Sequence, residues 1–523
     1  MEHARRDKNC PNSALMPSKI IFIHPPVSKP SEPPAGIAKL AGCLQAGGIS
    51  CRIIDANLEG LLYLLTASAR ETTAADRWTT RARKHLDANI AALRNGKIYL
   101  NPGSYRRVVA DINRLYRLAG ESFHADLTLA DYHDHQLTPV KSGDLLRAAE
   151  NPHQNPFYPY FSLRLPAVLE EEPRFLGFSL NYLSQALCTF AMIGFVKKKN
   201  PRQKIILGGS LATSWIKITG SRNIFAGLVD EMVAGKGEKK LLELLGGRGD
   251  VSDMPPAYHD FPLEDYLAPV TILPYSASSG CYWQRCSFCP ERAEDNPYQP
   301  QALNRAIAHL QLLCRESNPG LIHIVDNAIS PALLSALAVN HFSAPWYGFT
   351  RIIPQLTDED FCRSLHKNGC VLLKLGIESG DQKVLDKLGK GIDLPTVSRA
   401  LNTLKRTGIS TYVYLLFGTP PENEESALKT LNFVLDHRDC ISFLNLAIFN
   451  LPVLSDDAQT LSTHDFYAGD LSLYKSFVHP LGWQRAAVRK FLEKTFKKQP
   501  AVAEIIRRTP DYFTSNHAPF FRK

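Results

Sequence analysis

At 523 residues the chain is too long for one compact core, and two domains, or one carrying a large insertion, is the expectation. Sixty Lys plus Arg against 51 Asp plus Glu leave only +9, spread along the chain with mild clustering at Arg5, Arg6 and from Lys490 to Lys523. No basic stripe interleaved with aromatics points to nucleic acid, and no apolar run reaches bilayer length. The N-terminus lacks an apolar signal core, so a cytoplasmic protein is expected, and eleven scattered cysteines argue for reduced thiols rather than a disulfide framework.

In chain order, residues 1–18 read as a flexible terminus. From "KIIFIHPP" (19–26) a strand leads through a Pro-rich loop into a helix with Ile37, Leu40, Ala41 and Leu44 on one face, then to a second strand, "CRIIDAN". The rhythm resumes at "RFLGFSL" (174–180), "KIILGGS" (204–210) and "GLVDEMVAGKGEKKLLELL" (227–245). These five runs predict a doubly wound parallel α/β sheet over 19–249. Residues 58–173 interrupt it, and the helical spacing of "RWTTRARKHLDANIAALRNG" and "SYRRVVADINRLYRLAGESF" predicts a mostly helical insertion.

Residues 250–266 are turn-rich and read as a linker. Strand and helix then alternate six times from 267 to 450: "TILPYSA", "LIHIVD", "WYGFTR", "CVLLKLGIE", "ISTYVYLLFG" and "ISFLNLAIF". Between the fourth and fifth, Asp393 is placed to cap a helix, Pro395 to fit its first turn and Gly408 to end it. Six such units predict a partial β/α barrel with its chemistry at the C-terminal strand ends. Residues 451–523 predict a small, mostly helical C-terminal region that closes the barrel's open side or packs outside it.

Directly after the first barrel strand, "SASSGCYWQRCSFCPER" (276–292) carries Cys281, Cys286 and Cys289 with no fourth thiol nearby. Structural zinc wants four ligands, and the nearest histidines, His259 and His309, are poorly placed. A four-iron cluster held by three thiolates keeps one iron open for an exchangeable ligand. Cys314, Cys362 and Cys370 lie in helix or strand patterns and read as buried inert thiols.

The loop resembles that of the radical SAM enzymes, usually C-x3-C-x2-C with an aromatic before the last cysteine, here Phe288. The first gap is longer by one, since Tyr282 to Arg285 make four residues, which implies a small bulge. The resemblance implies a [4Fe-4S] cluster on the three cysteines that cleaves S-adenosylmethionine. It extends to "LGIESGDQKVLDKLGKGI" with Glu378, to "LLFGTPPENEE" with Gly418, to "IVDNAI" with Asp326 and Asn327, and to Arg351, and so implies that these residues and Phe288 contact adenosylmethionine. Glu378 could instead form an ion pair, and Asp326 and Arg351 could merely cap or pair.

The first domain is similar to the flavodoxin-like N-terminal domain of the cobalamin-binding subfamily, in "IHPPVSKPSEPPAGIAKLAGCLQAGGISCRIIDAN", "GFSLNYLSQ", "ILGGSLATSW" and "VAGKGEKKLLELL". That implies cobalamin at the strand ends, on Ser179, Ser184, Gly208, Gly209, Ser210, Thr213, Gly235 and Gly237. The D-x-H-x-x-G histidine motif is missing: "DYHDHQ" (131–136) lacks the glycine and lies in the insertion, and His24 reads as a surface or loop histidine. The activity implied is a cobalamin-dependent methyltransferase acting on an unactivated carbon of a small molecule or peptide, fed electrons by a flavodoxin or ferredoxin. The alternatives are a rearrangement, cyclisation or oxidation by the same radical chemistry, or a non-catalytic sensor.

Overall fold

The computed structural model describes residues 19–70, 76–220, 222–247, 249, 251, 253–513 and 517–521. The N-terminal stretch 1–18, with Arg5 and Arg6, lies outside the described residues. Among the described residues no helix is long and apolar enough to cross a membrane.

The first sheet has five parallel strands, β1 (Ile20–Ile23), β2 (Cys51–Ile54), β3 (Phe175–Ser179), β4 (Lys204–Gly208) and β5 (Glu231–Met232), in the order β2-β1-β3-β4-β5. This is the flavodoxin-like order, in which chain direction switches between β1 and β3 and leaves a crevice at the C-terminal strand ends. Buried on both faces, β1 is an unbroken apolar run: Ile20 and Phe22 join one core, Ile21 and Ile23 the other.

Helices occupy most of 56–170. Asp76 caps Arg77–Lys84 by accepting from the Thr79 amide at 2.9 Å, and Asn101 caps Pro102–Glu121 through the Ser104 amide at 3.0 Å. The first stretch read as one helical pattern is broken at His85, which links Arg77–Lys84 to Leu86–Leu93, and a short antiparallel pair, Ala125–Leu127 with Tyr132–Asp134, holds the "DYHDHQ" sequence. Leu61, Leu65, Ile112, Tyr116 and Phe161 from these helices share one core with Ile21 and Ile23.

The second sheet has six parallel strands in sequential order: β6 (Ile272–Tyr275), β7 (Leu321–Ile329), β8 (Trp346–Thr350), β9 (Cys370–Glu378), β10 (Ser410–Phe417) and β11 (Phe443–Ile448). Helix Leu394–Arg406 follows its signals, with Asp393 accepting from the Thr396 amide at 2.8 Å and Gly408 at φ +81° just beyond its end. The C-terminal region is less helical than its sequence suggested. A three-stranded antiparallel sheet, Leu451–Pro452, Thr463–Asp465 and Tyr474–Phe477, precedes helices Arg485–Phe491 and Pro500–Arg507, which pack against β11. Cys314, Cys362 and Cys370 are buried.

Candidate active site

The three cysteines sit on a loop that leaves β6 and is fastened by its backbone. Gly280, at φ +70°, comes so close to Pro297 that a Cβ would lie 2.4 Å from its carbonyl oxygen. Ser287 donates its amide to Leu388 O at 3.0 Å, and the Trp283 indole donates to Gly389 O at 2.9 Å. The extra residue of the first gap is absorbed at Gln284, which adopts a left-handed φ of +49° and donates Nε2 to Asn296 O at 2.9 Å. Burial pushes the Cys289 thiol up to about 11 and raises that of Cys286. A cation among them would reverse that balance, because metal binds the thiolate.

Among the described residues no three His, Cys, Asp or Glu side chains converge tightly enough to hold one metal ion. Three thiols on one loop, too spread for a single ion, fit a polynuclear group with one thiolate per iron.

Behind the loop stands a charged layer. Arg351, at the end of β8, donates Nη1 to Cys286 Sγ at 3.7 Å and Nη2 to the Lys390 carbonyl, and lies 4.1 Å from the Trp283 ring centroid. Lys390 Nζ is 2.8 Å from Glu378 Oε1 and 5.7 Å from the Phe288 ring, and both partners of the ion pair are buried. Gly376 makes the room for it: a Cβ there would meet Glu378 Oε1 at 2.6 Å and Lys390 Nζ at 2.8 Å. Glu378 holds φ +69°, a strained conformation for a residue with a Cβ, and the turn after it is bolted to helix Glu424–Asp436 by Thr430 Oγ1, which accepts from the Gly380 amide at 2.9 Å.

Between the two sheets lies a cavity of about 800 Å³. Ser179, Gly208, Gly209, Ser210, Thr213, Gly235 and Gly237 line one wall, and Ser276, Ser278, Gly280, Glu291, Asn296 and Asn327 the other. Side chains added at Gly36 or Gly235, also on the wall, would meet nothing within 4 Å, so the glycines leave a bare backbone cradle. Thr213 ties that wall together, its hydroxyl accepting from the Gly235 amide and donating to Gly209 O, each at 2.9 Å. Ser214 donates to Glu294 Oε1, and Lys217 to Asn296 Oδ1, both at 2.6 Å, clamping the segment after the cysteines to the first sheet's helix Ser210–Ile218. Among the described residues no histidine lines the cavity.

The sequence model of the radical SAM superfamily matches residues 275–434. These residues form a radical SAM domain. Among curated proteins, an uncharacterized methyltransferase of Pyrococcus horikoshii is 24% identical over 193 residues, 35% of this chain and 41% of that protein. Hopanoid C-3 methylase of Methylococcus capsulatus is 25% identical over 279 residues, 47% of this chain and 53% of the relative. The chain thus spans about half the length of the curated relatives it matches. Among solved structures, the radical S-adenosylmethionine methyltransferase TsrM of Kitasatospora setae, with cobalamin and a [4Fe-4S] cluster bound, superposes with a TM-score of 0.52 over 87% of this chain and 84% of its own, at 13% identity. At that identity the likeness is one of fold.

Within the radical SAM domain, Phe288, Arg351 and Glu378 gather around the cysteine loop, and Asn327 reaches the cavity wall. Two further expected residues, Asp326 and Gly418, are held by contacts within the chain. Asp326 turns its carboxylate to the start of the cysteine loop, accepting from the Ala277 amide at 2.9 Å and from Ser278 Oγ, because it alternates with the cavity-facing Val325 and Asn327. Burial pushes it up to about 6. Gly418, at φ +78°, packs 3.2 Å (from an added Cβ) from Val488 of the tail and donates its amide to Glu422, whose carboxyl burial raises to about 8. In the first sheet, Ser184 is off the cavity, since its hydroxyl is spent on Val27 O at 2.8 Å. His24 is buried rather than at the surface, with Nε2 3.0 Å from Ser28 Oγ. Sequence reasoning passed over Lys390, although its placement in "KLGKG", between two glycines of positive φ, was a signal that this segment packs tightly.

That packing is testable at Gly391. It has φ +65°, and a Cβ would fall 2.0 Å from Trp283 Cζ2. Gly391→Ala is expected to displace Trp283 and, with a left-handed strain on the order of 1 kcal/mol, to lower iron retained after anaerobic reconstitution severalfold while far-ultraviolet circular dichroism is unchanged. Full iron content would show that Trp283 does not hold the loop.

Proposed function

We propose that the chain is a cobalamin-dependent methyltransferase that cleaves S-adenosylmethionine reductively at a [4Fe-4S] cluster and methylates an unactivated carbon. The observation that carries this reading is the cavity that joins the glycine-bearing ends of the first sheet to Gly280 and Pro290, the residues on either side of the three cysteines. The fold likeness to TsrM and the methyltransferase names of two curated relatives support it.

Cys281, Cys286 and Cys289 would hold the cluster, Glu378 with Lys390, Phe288, Arg351 and Asn327 the adenosylmethionine, and Ser179, Gly208, Gly209, Ser210, Thr213, Gly235 and Gly237 the cobalamin. When bound, these groups supply the electron, the radical precursor and the methyl carrier. The chain's own residues supply position and charge. The Arg351 guanidinium beside Cys286 Sγ offsets thiolate charge, and Lys390 fixes the Glu378 carboxylate in one orientation. The glycines bring backbone within reach of a large ligand, and among the described residues the lining offers no imidazole to its metal. Substrate would be a small molecule or peptide, with electrons from a flavodoxin or ferredoxin in the cytoplasm, where the free cysteines stay reduced.

Anaerobic protein given reductant, adenosylmethionine, hydroxocobalamin and cell extract is expected to form both S-adenosylhomocysteine and 5′-deoxyadenosine, because methyl donation and radical generation each consume adenosylmethionine. Deoxyadenosine without S-adenosylhomocysteine, from protein that retains cobalamin, would replace methyl transfer by a rearrangement, cyclisation or oxidation.

A further inference from the structure

On the cysteine loop one buried polar atom makes no hydrogen bond. The Tyr282 hydroxyl, on the residue after Cys281, is buried and meets no hydrogen-bond partner among the described residues. A buried hydroxyl without a partner is costly, and folded chains ordinarily supply one.

The loop gives this hydroxyl a fixed direction. Four residues, Tyr282 to Arg285, separate Cys281 from Cys286. Trp283 is held by its indole on Gly389 O at 2.9 Å and by the close approach of Gly391. Gln284, left-handed at φ +49°, is held by Nε2 on Asn296 O at 2.9 Å. Arg285 is exposed, its guanidinium 5.1 Å from the Trp283 ring centroid. Tyr282 is thus the one residue of the four whose polar atom is buried and unspent. Its ring is braced edge-on against Tyr298, with centroids 6.2 Å apart and planes at 67°.

Three neighbours act on the phenol. Burial raises its pKa, with the Arg351 charge opposing and Cys281 and Tyr298 adding to the rise, so at neutral pH the hydroxyl keeps its proton and can donate it. Arg351 has nothing to accept that proton, because a guanidinium only donates, and two of its nitrogens are engaged with Cys286 Sγ at 3.7 Å and with the Lys390 carbonyl. Tyr298 packs against the ring without hydrogen-bonding the hydroxyl. The remaining acceptor is sulfur. Cys281 adjoins Tyr282 in the chain, and Cys286 is tied to the same Arg351. A neutral thiol accepts weakly, whereas a thiolate that holds iron is a charged acceptor.

We propose that Tyr282 donates its hydroxyl to a sulfur of the cluster and thereby raises its reduction potential. This rests on the reading that Cys281, Cys286 and Cys289 hold a [4Fe-4S] cluster. Reduction adds one electron to a group that already carries three thiolates, so a donor aimed at sulfur stabilises the reduced state more than the oxidised one. Arg351 acts in the same sense through its charge beside Cys286. The longer first gap then has a use, since its extra residue is absorbed at Gln284 while Tyr282 stays turned to the sulfurs.

The test compares wild type with Tyr282→Phe, both reconstituted anaerobically and free of adenosylmethionine, in a potentiometric titration followed by electron paramagnetic resonance. Loss of the hydroxyl is expected to make the cluster about ten-fold harder to reduce, a downward shift of about 59 mV for one electron. Electron–nuclear double resonance on the reduced samples, in water and in D2O, is expected to show an exchangeable proton in wild type that the variant lacks. Should Tyr282→Phe hold too little iron to titrate, Tyr282→3-fluorotyrosine, a more acidic phenol and stronger donor, is expected to shift the potential upward. An unchanged potential, or a set of exchangeable protons that survives the substitution intact, would overturn the proposal. So would a shift seen only after adenosylmethionine is added, which would give the hydroxyl to that molecule. Iron content of the wild type separates the two readings: a loaded wild type with no shift removes the role of Tyr282 alone, and a wild type that takes up no iron removes the cluster and this proposal with it.

Discussion

Replacing Cys281, Cys286 and Cys289 together by alanine is expected to abolish the brown chromophore and to cut 5′-deoxyadenosine formation by at least about a thousand-fold. The effect is large because the donor set has no substitute: among the described residues no other cysteine, histidine or carboxylate completes a metal site with the loop. The protein should nevertheless stay folded. The loop is held by contacts that spare the sulfurs, namely Ser287 N to Leu388 O, the Trp283 indole to Gly389 O, and the Arg351 guanidinium to Lys390 O. The checks are iron and sulfide content, the visible spectrum and circular dichroism on the same sample. Retention of about four irons per chain in the triple variant would remove the cluster assignment, and loss of the circular dichroism would show that the thiols were needed for folding instead.

Glu378→Ala should be the most damaging single change to stability in the radical SAM domain. It leaves the Lys390 ammonium, 3% exposed, without its carboxylate and in a layer that already holds Arg351. Breaking a buried pair from one side costs about 3–5 kcal/mol. Adding Lys390→Met removes the stranded charge and is expected to recover most of that loss, since the Lys390 carbonyl that accepts from Arg351 is unchanged. Activity should not follow stability. Binding of adenosylmethionine, by equilibrium dialysis, is expected to fall about a hundred-fold in both variants, the equivalent of two charge-assisted hydrogen bonds. If the double variant regains binding along with stability, the pair is structural only.

The two sheets were legible because their signals are local. β1 is apolar at four successive positions, and the six barrel strands recur between helices with their own caps, so strand existence and order follow from pattern and short right-handed connections. The cysteine spacing and the glycines at the ends of β4 and after β5 carried the site for a similar reason: each is a run of unusual residues within a few positions. What escaped lies in tertiary space. Nothing in the neighbourhood of Lys390 says that its ammonium meets Glu378, twelve residues earlier, and nothing near Glu32 says that it reaches His323, 291 residues away. Nor could pattern alone say that Asp326 turns its carboxylate to the start of the cysteine loop while Val325 and Asn327, one step away in the strand's two-residue period, face the cavity. His24 looked like a loop residue because the chain leaves the strand there, and it is buried because the Pro-rich loop folds back over it onto Ser28.

Both apolar cores cross from one sheet to the other. Ile20 and Phe22 share a core with Leu273, Ile322 and Leu373, while Ile21 and Ile23 share theirs with Leu321, Tyr347, Leu372 and Tyr412. The two halves are therefore not interchangeable modules. A chimera that transplants either half onto a relative's partner would have to rematch two buried faces at once, and a fragment cut between the halves would expose both. Diversity of chemistry in such a scaffold has to be sought in the cavity that Gly209, Thr213, Gly280 and Asn327 line and on the loops around it, because the packed seam leaves little freedom for exchange.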